Sequence, residues 1–190
     1  MISEEFVKKF ENVMELAAWL TAVNINTSLW GEGNAKSIDN LWDEWRDGEV
    51  TLQDNPPLRL VNVAQILVRK GKQILVEAEQ ELENGQRRFR NQPPSEKMKP
   101  GESYVETAVR CLQEELGIQS ENFRLLTETY EHSIRESDSL SYPGLTTQYT
   151  FHIIEAQING LPETEFWLDN RAYGAGDPVR RHLWKWQYAG

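Results

Sequence analysis

The stretch Glu96-Lys97-Met98-Lys99-Pro100-Gly101-Glu102-Ser103-Tyr104-Val105-Glu106-Thr107-Ala108-Val109-Arg110-Cys111-Leu112-Gln113-Glu114-Glu115-Leu116-Gly117-Ile118 is the most informative part of this 190-residue chain. Ser103 has the chemistry of a helix N-cap, and Glu106 three residues on completes a capping box. Val105, Ala108, Val109, Leu112 and Leu116 then recur at helical spacing, so one apolar face should dock on a sheet. Gly117 stands where a left-handed C-terminal cap is wanted. The spacing therefore predicts a helix over 103–116. At its C-terminal end it displays two adjacent carboxylates, Glu114 and Glu115. Arg110 can pair with Glu114 or Glu106 at i,i+4. Two acids at that end oppose the helix dipole, an arrangement that a bound cation would relieve. Oxygen-only ligands of this kind suit Mg²⁺ or Mn²⁺.

Outward from this helix, strand patterns dominate. Leu58–Arg69 is rich in β-branched residues and apolar on both faces, as a central strand would be. Lys70-Gly71-Lys72 turns it into a second strand over Gln73–Glu79, and Asn84-Gly85 signals another turn. Residues 86–99 read as a basic loop, with Arg87, Arg88, Arg90, Lys97 and Lys99 against Glu96 alone. After the helix, Phe123–Ile134 and Thr146–Ile158 read as strands. They are separated by a polar loop containing Ser141-Tyr142-Pro143-Gly144. A segment around Phe166-Trp167-Leu168 follows, and Pro178–Gln187 is expected to close the chain as a helix. The class this implies is α+β, a mixed sheet covered on both faces.

Residues 1–57 read differently. Phe6, Phe10, Val13, Ala17 and Leu20 predict one amphipathic helix over 3–22, and Ser37–Asp47 a second, short one capped by Ser37. Four of the seven tryptophans lie here. The expected organisation is a helical, tryptophan-bearing extension over 1–57, packed on a main domain over 58–190. The Phe6–Leu20 stripe can be satisfied within the chain or across a two-fold axis, so a homodimer stays open.

Composition narrows the partners. Net charge is −10, from 30 acidic and 20 basic residues. Such a surface repels nucleic acid phosphates, and no run approaches the ~20 apolar residues of a membrane span. A basic stretch on an acidic protein suits a small anionic ligand, although a solvated loop would look the same. The single cysteine, Cys111, excludes an internal disulfide and a multi-cysteine zinc site. With no secretory leader at Met1-Ile2-Ser3-Glu4-Glu5, the expected setting is the cytoplasm.

The opening stretch resembles the Nudix box, whose pattern runs Gly, five residues, Glu, seven residues, Arg-Glu, an aliphatic residue, any residue, Glu-Glu, any residue, Gly and an aliphatic residue. Glu102, Arg110, Leu112, Glu114, Glu115, Gly117 and Ile118 stand at the matching positions. The resemblance implies membership of the Nudix hydrolase superfamily and an α/β/α sandwich around the mixed sheet. It also implies Mg²⁺- or Mn²⁺-dependent hydrolysis of a diphosphate linked to another moiety, typically a nucleoside diphosphate derivative. Glu114 and Glu115 would hold the metal, Arg110 would orient them, and Glu102 would brace the loop. Arg87, Arg88 and Arg90, ahead of the box, would contact substrate phosphates. Two positions depart from the pattern: Glu96 replaces the opening glycine, and Cys111 replaces the first glutamate of the Arg-Glu pair. The second departure matters more, because that glutamate helps to hold metal and in several members activates water. Any base must then come from elsewhere. Glu128, Glu131, Glu136, Asp138, Glu155 and His132 are available, while His152 reads as a strand residue. Tyr142 and Trp167 could stack a nucleobase. The rival reading is a Nudix-fold protein that binds a nucleotide or protein partner without hydrolysing it.

Overall fold

The computed structural model describes residues 7–33, 35–171, 173 and 178–188. It is α+β, with a mixed sheet and three α-helices. In chain order these elements are α1 (Val13–Ala22), α2 (Ile38–Arg46), β1 (Thr51–Gln53), β2 (Leu58–Lys70), β3 (Gln73–Leu82), β4 (Arg87–Gln92), β5 (Ser95–Lys97), α3 (Tyr104–Glu115), β6 (Phe123–Asp138), β7 (Thr146–Ile158), β8 (Phe166–Asp169) and β9 (Val179–Tyr188). The chain divides into two compact units, one of residues 1–63, 97–101 and 133–151, the other of residues 64–96, 102–132 and 152–190.

In the smaller unit, α1 starts later than the apolar spacing predicts. Asn12 takes an extended conformation and its side chain accepts from the Glu15 amide, so the helix is capped there and not at residue 3. Phe6 lies outside the described residues. Phe10 precedes the helix and is buried against Trp19 and Trp45, with ring centroids 5.7 and 5.2 Å away. Ser37 caps α2 as expected, in a capping box with Asn40. Leu16, Leu20, Leu41 and Leu52 are fully buried with Trp19, Trp30, Val61, Tyr142 and Leu145 in one core. Each such leucine contributes ~1.5–3 kcal/mol relative to exposure. The indole N–H groups of Trp19 and Trp30 are satisfied by Asp54 at 2.7 Å and by the Pro143 carbonyl at 3.0 Å. Tyr142 is wholly buried beside Trp30, which removes it as a ring for stacking a ligand.

The strands follow the order β6-β7-β2-β3-β9-β8, with β4 paired to β3, and the larger unit takes β3, β4, β8 and β9 whole with parts of β2, β6 and β7. The hairpin between β2 and β3 turns at Gly71, whose φ of +60° suits glycine. Ile66, Val68, Leu75, Ile154, Ala156 and Trp184 form its core together with Ala108, Cys111 and Leu112 of α3. Two expectations are corrected here. The closing segment is a strand, not a helix. β9 pairs antiparallel with β3 from Gln73↔Tyr188 to Leu82↔Val179, and the sheet claims its backbone hydrogen bonds. The basic stretch is likewise not a loop, because Arg87–Gln92 adds to β3 as an exposed strand.

Candidate active site

The helix α3 is built as its sequence requires. The Ser103 side chain accepts from the Glu106 amide at 3.3 Å and the Glu106 carboxylate accepts from the Ser103 amide at 2.8 Å. Gly117 ends the turn with φ +68°, and a Cβ there would meet the Arg171 guanidinium at 2.7 Å. Thr107, Ala108, Cys111 and Leu112 form the buried face.

Arg110 organises the polar side. Its Nε and Nη2 donate to Glu102 Oε1 and Oε2 at 3.0 and 2.9 Å, a bidentate clamp. Glu102 Oε2 also accepts the Thr107 hydroxyl at 2.9 Å, so this carboxylate ties the loop to the helix. Arg110 Nη1 faces Glu114 at 3.4 Å and Glu96 at 3.7 Å. The bonds from Glu102, above all, hold this guanidinium more firmly protonated than usual. Glu114 is exposed and Glu115 partly buried. Burial pushes the Glu115 carboxyl well above the usual carboxylate range. Glu77, Glu96 and Glu114 add to the rise, and Arg90 opposes it. Cys111 is fully buried, and burial pushes its thiol up, aided by Glu115 and Glu96. The two departures from the box thus act on each other: one position has lost a carboxylate, and the other brings one to Arg110.

The NUDIX domain model matches residues 58–173. The chain belongs to the Nudix family. Among solved structures it is similar to an Ap4A hydrolase of C. elegans, with 19% identity, 67% of this chain and 80% of that chain covered, and a TM-score of 0.39. It is also similar to a Nudix hydrolase from Nitrosomonas europaea, at 18% identity with 66% and 71% covered and a TM-score of 0.40. A third is a bifunctional NMN adenylyltransferase/ADP ribose pyrophosphatase from Francisella tularensis, at 15% identity with 68% and 34% covered and a TM-score of 0.35. A search of curated proteins gives no match.

Around the Nudix helix, the sheet adds groups that the sequence pattern does not announce. Glu77, on β3, is buried, and its Oε1 accepts from Gln80 Nε2 at 2.6 Å and lies 2.5 Å from His182 Nδ1. Arg90 Nε reaches the other oxygen, Oε2, at 3.2 Å. Gln80 Oε1 in turn accepts from Arg88 Nε at 2.9 Å. Sequence reading passes over these residues because Glu77 and Gln80 look like a solvated strand face and His182 falls in the segment expected to be helical. A register shift between Glu77 and Glu79 puts Glu77 and Gln80 in contact.

The three arginines of β4 therefore part company. Arg90 stands beside Glu77 and acts on Glu115, and Arg88 is held by Gln80. Arg87 pairs with Glu79 at 3.3 Å and lies over the Trp167 ring, 5.3 Å from its centroid. Of the carboxylates after the box, Glu155 is engaged by Arg69 at 2.5 Å, and Glu128, Glu131, Glu136 and Asp138 are exposed. His132 is exposed, and His152 Nδ1 meets the Tyr130 hydroxyl at 3.0 Å.

Among the described residues no group of three or more His, Cys, Asp or Glu side chains converges to hold a metal ion. Glu114 and Glu115 alone still fit Mg²⁺, which keeps several waters and takes one or two carboxylates plus substrate phosphates. The fit rests on charge: besides burial, the charges of Glu77, Glu96 and Glu114 push the Glu115 carboxyl up, against Arg90, and a cation would relieve them.

Proposed function

We propose that the protein is a metal-dependent Nudix-type hydrolase of a diphosphate linked to another moiety, typically a nucleoside diphosphate derivative. The observation that carries this reading is the helix α3 itself, which keeps Glu102, Arg110, Glu114, Glu115 and Gly117 of the box, with Arg110 clamped to Glu102 at 3.0 and 2.9 Å. Glu114 and Glu115 are its metal ligands. Mg²⁺ or Mn²⁺, when bound, neutralises the diphosphate and activates water. Arg110, clamped by Glu102, orients Glu114, whose Oε2 lies 3.4 Å from its Nη1. Arg87, Arg88 and Arg90 are the proposed phosphate contacts, and Arg90, whose charge already opposes Glu115, is the one best set to follow the substrate. The basic residues over 86–99 support a small anionic ligand and the net charge of −10 speaks against a nucleic acid polymer; the proposed setting is the cytoplasm, with no membrane partner. No helix among the described residues is long and apolar enough to cross a membrane.

The test is release of phosphate-containing product from a panel of nucleoside diphosphate derivatives, with and without Mg²⁺. Glu115→Gln should lower the Mg²⁺-dependent rate by roughly 10²- to 10³-fold, the equivalent of several kcal/mol of transition-state stabilisation. A rate that this substitution leaves unchanged would place the chemistry outside the box. Buried Cys111 favours the second reading, a Nudix-fold protein that binds a nucleotide or a protein partner without cleaving it. In that case the wild type cleaves nothing in the panel and Cys111→Glu confers cleavage.

A further inference from the structure

With Cys111 sealed in the core, the box has no group at that position to take a proton from water. We propose that His182, oriented by Glu77, is the general base of the hydrolysis. The inference rests on the hydrolase reading above and names a residue that lies outside the box.

The geometry is that of a carboxylate–imidazole pair. Glu77 Oε1 lies 2.5 Å from His182 Nδ1, and each side chain is only 8% exposed. A neutral imidazole that donates Nδ1–H to a carboxylate carries its lone pair on Nε2. Among the described residues Nε2 has no hydrogen-bond partner. Glu77 cannot swing away, since Gln80 and Arg90 hold it at 2.6 and 3.2 Å, and Gln80 is itself held by Arg88. The His182 ring lies 6.3 Å from that of Trp184, which packs in one core with Ala108, Cys111 and Leu112 of α3, the helix that carries Glu114 and Glu115. Among the described residues the imidazole meets the Glu77 carboxylate of β3, whose other oxygen pairs with Arg90 of β4. On β8 its register partner is Leu168, which brings no charge.

The step balances simply. A water oxygen forms a bond to phosphorus while its proton passes to His182 Nε2. The bridging P–O bond breaks, its electron pair leaves on the departing oxygen, and the imidazolium returns the proton to solvent. A staple between β3 and β9 leaves Nε2 idle, whereas a base uses it.

His182→Asn is the discriminating variant, because its amide N–H can still donate to Glu77 while the free ring nitrogen is gone. The expected result is a kcat lower by ~10²- to 10⁴-fold. KM and Mn²⁺ affinity by calorimetry should be unchanged. Long-range ¹H–¹⁵N spectra of the metal-free wild type should show the Nδ1–H tautomer. If His182→Asn fails to fold, Glu77→Gln, which keeps an acceptor for Nδ1–H but weakens the base, should lower kcat by roughly tenfold or more at unchanged KM. Turnover in His182→Asn within about threefold of wild type, or an Nε2–H tautomer, overturns the assignment. If Glu115→Gln abolishes cleavage while His182→Asn does not, only the base is wrong. If the wild type cleaves nothing, both readings fall.

Discussion

Two buried or partly buried glutamates in this chain have opposite surroundings. Glu44, in the smaller unit, receives Lys36 at 2.7 Å, Arg59 at 2.5 Å and Lys97 at 3.2 Å. Burial raises its pKa, but Arg59, Lys97 and Lys36 outweigh that and hold it at about 2. Glu115, in the larger unit, moves the other way, pushed up first by burial and then by the charges of Glu77, Glu96 and Glu114, against Arg90. The first carboxylate brings its own counter-ions and needs nothing further. The second is short of positive charge, and that shortage is what a divalent ion and its ligand would fill. Burial alone does not mark a functional acid; the sign of the residual charge around it does.

That contrast can be broken by removing partners. Arg59→Met should have the largest effect, ~3–5 kcal/mol of stability, because Glu44 would be left buried with its main counter-charge gone. Urea unfolding measures it, and a loss below about 1 kcal/mol would mean that Lys36 and Lys97 suffice. Acid comes next. Since the folded pKa of Glu44 lies below its unfolded value of 4.5, its contribution is complete above that value and is lost as pH falls towards 2. The loss amounts to roughly 3 kcal/mol and should be absent in Glu44→Gln. The smallest effect has the reverse sign. Glu115→Gln should stabilise the metal-free protein, on the order of 1 kcal/mol, because it removes a carboxylate crowded by like charges. A lower melting temperature in that variant would show that the Glu115 charge is already satisfied.

The residues that follow local rules were legible from the chain. The capping box of α3, the glycine that ends it, the hairpin at Gly71 and the strand over 146–158 depend on short-range chemistry, and the structure has them where the pattern expects them. The failures have a common cause. β4 carries charge on three of its six residues, Arg87, Arg88 and Arg90, and is held by the cross-strand pairs these make to β3, which leave no apolar alternation to read. In β9 the run of Val179, Leu183, Trp184 and Trp186 fits either period, and only pairing with β3 decides. The candidate site divides in the same way. Its helical half is visible as a motif. Glu77, Gln80 and His182 meet only because a bulge in β3 and the neighbouring strand bring them together, and a one-dimensional pattern holds no trace of that.

The thiol of Cys111 is the only one in the chain, and it lies wholly beneath α3. A water-soluble alkylating probe therefore has one address, closed for as long as the helix stays seated. The speed of labelling in native buffer would report how often that helix lifts away, read from the unaltered sequence with no tag or dye introduced.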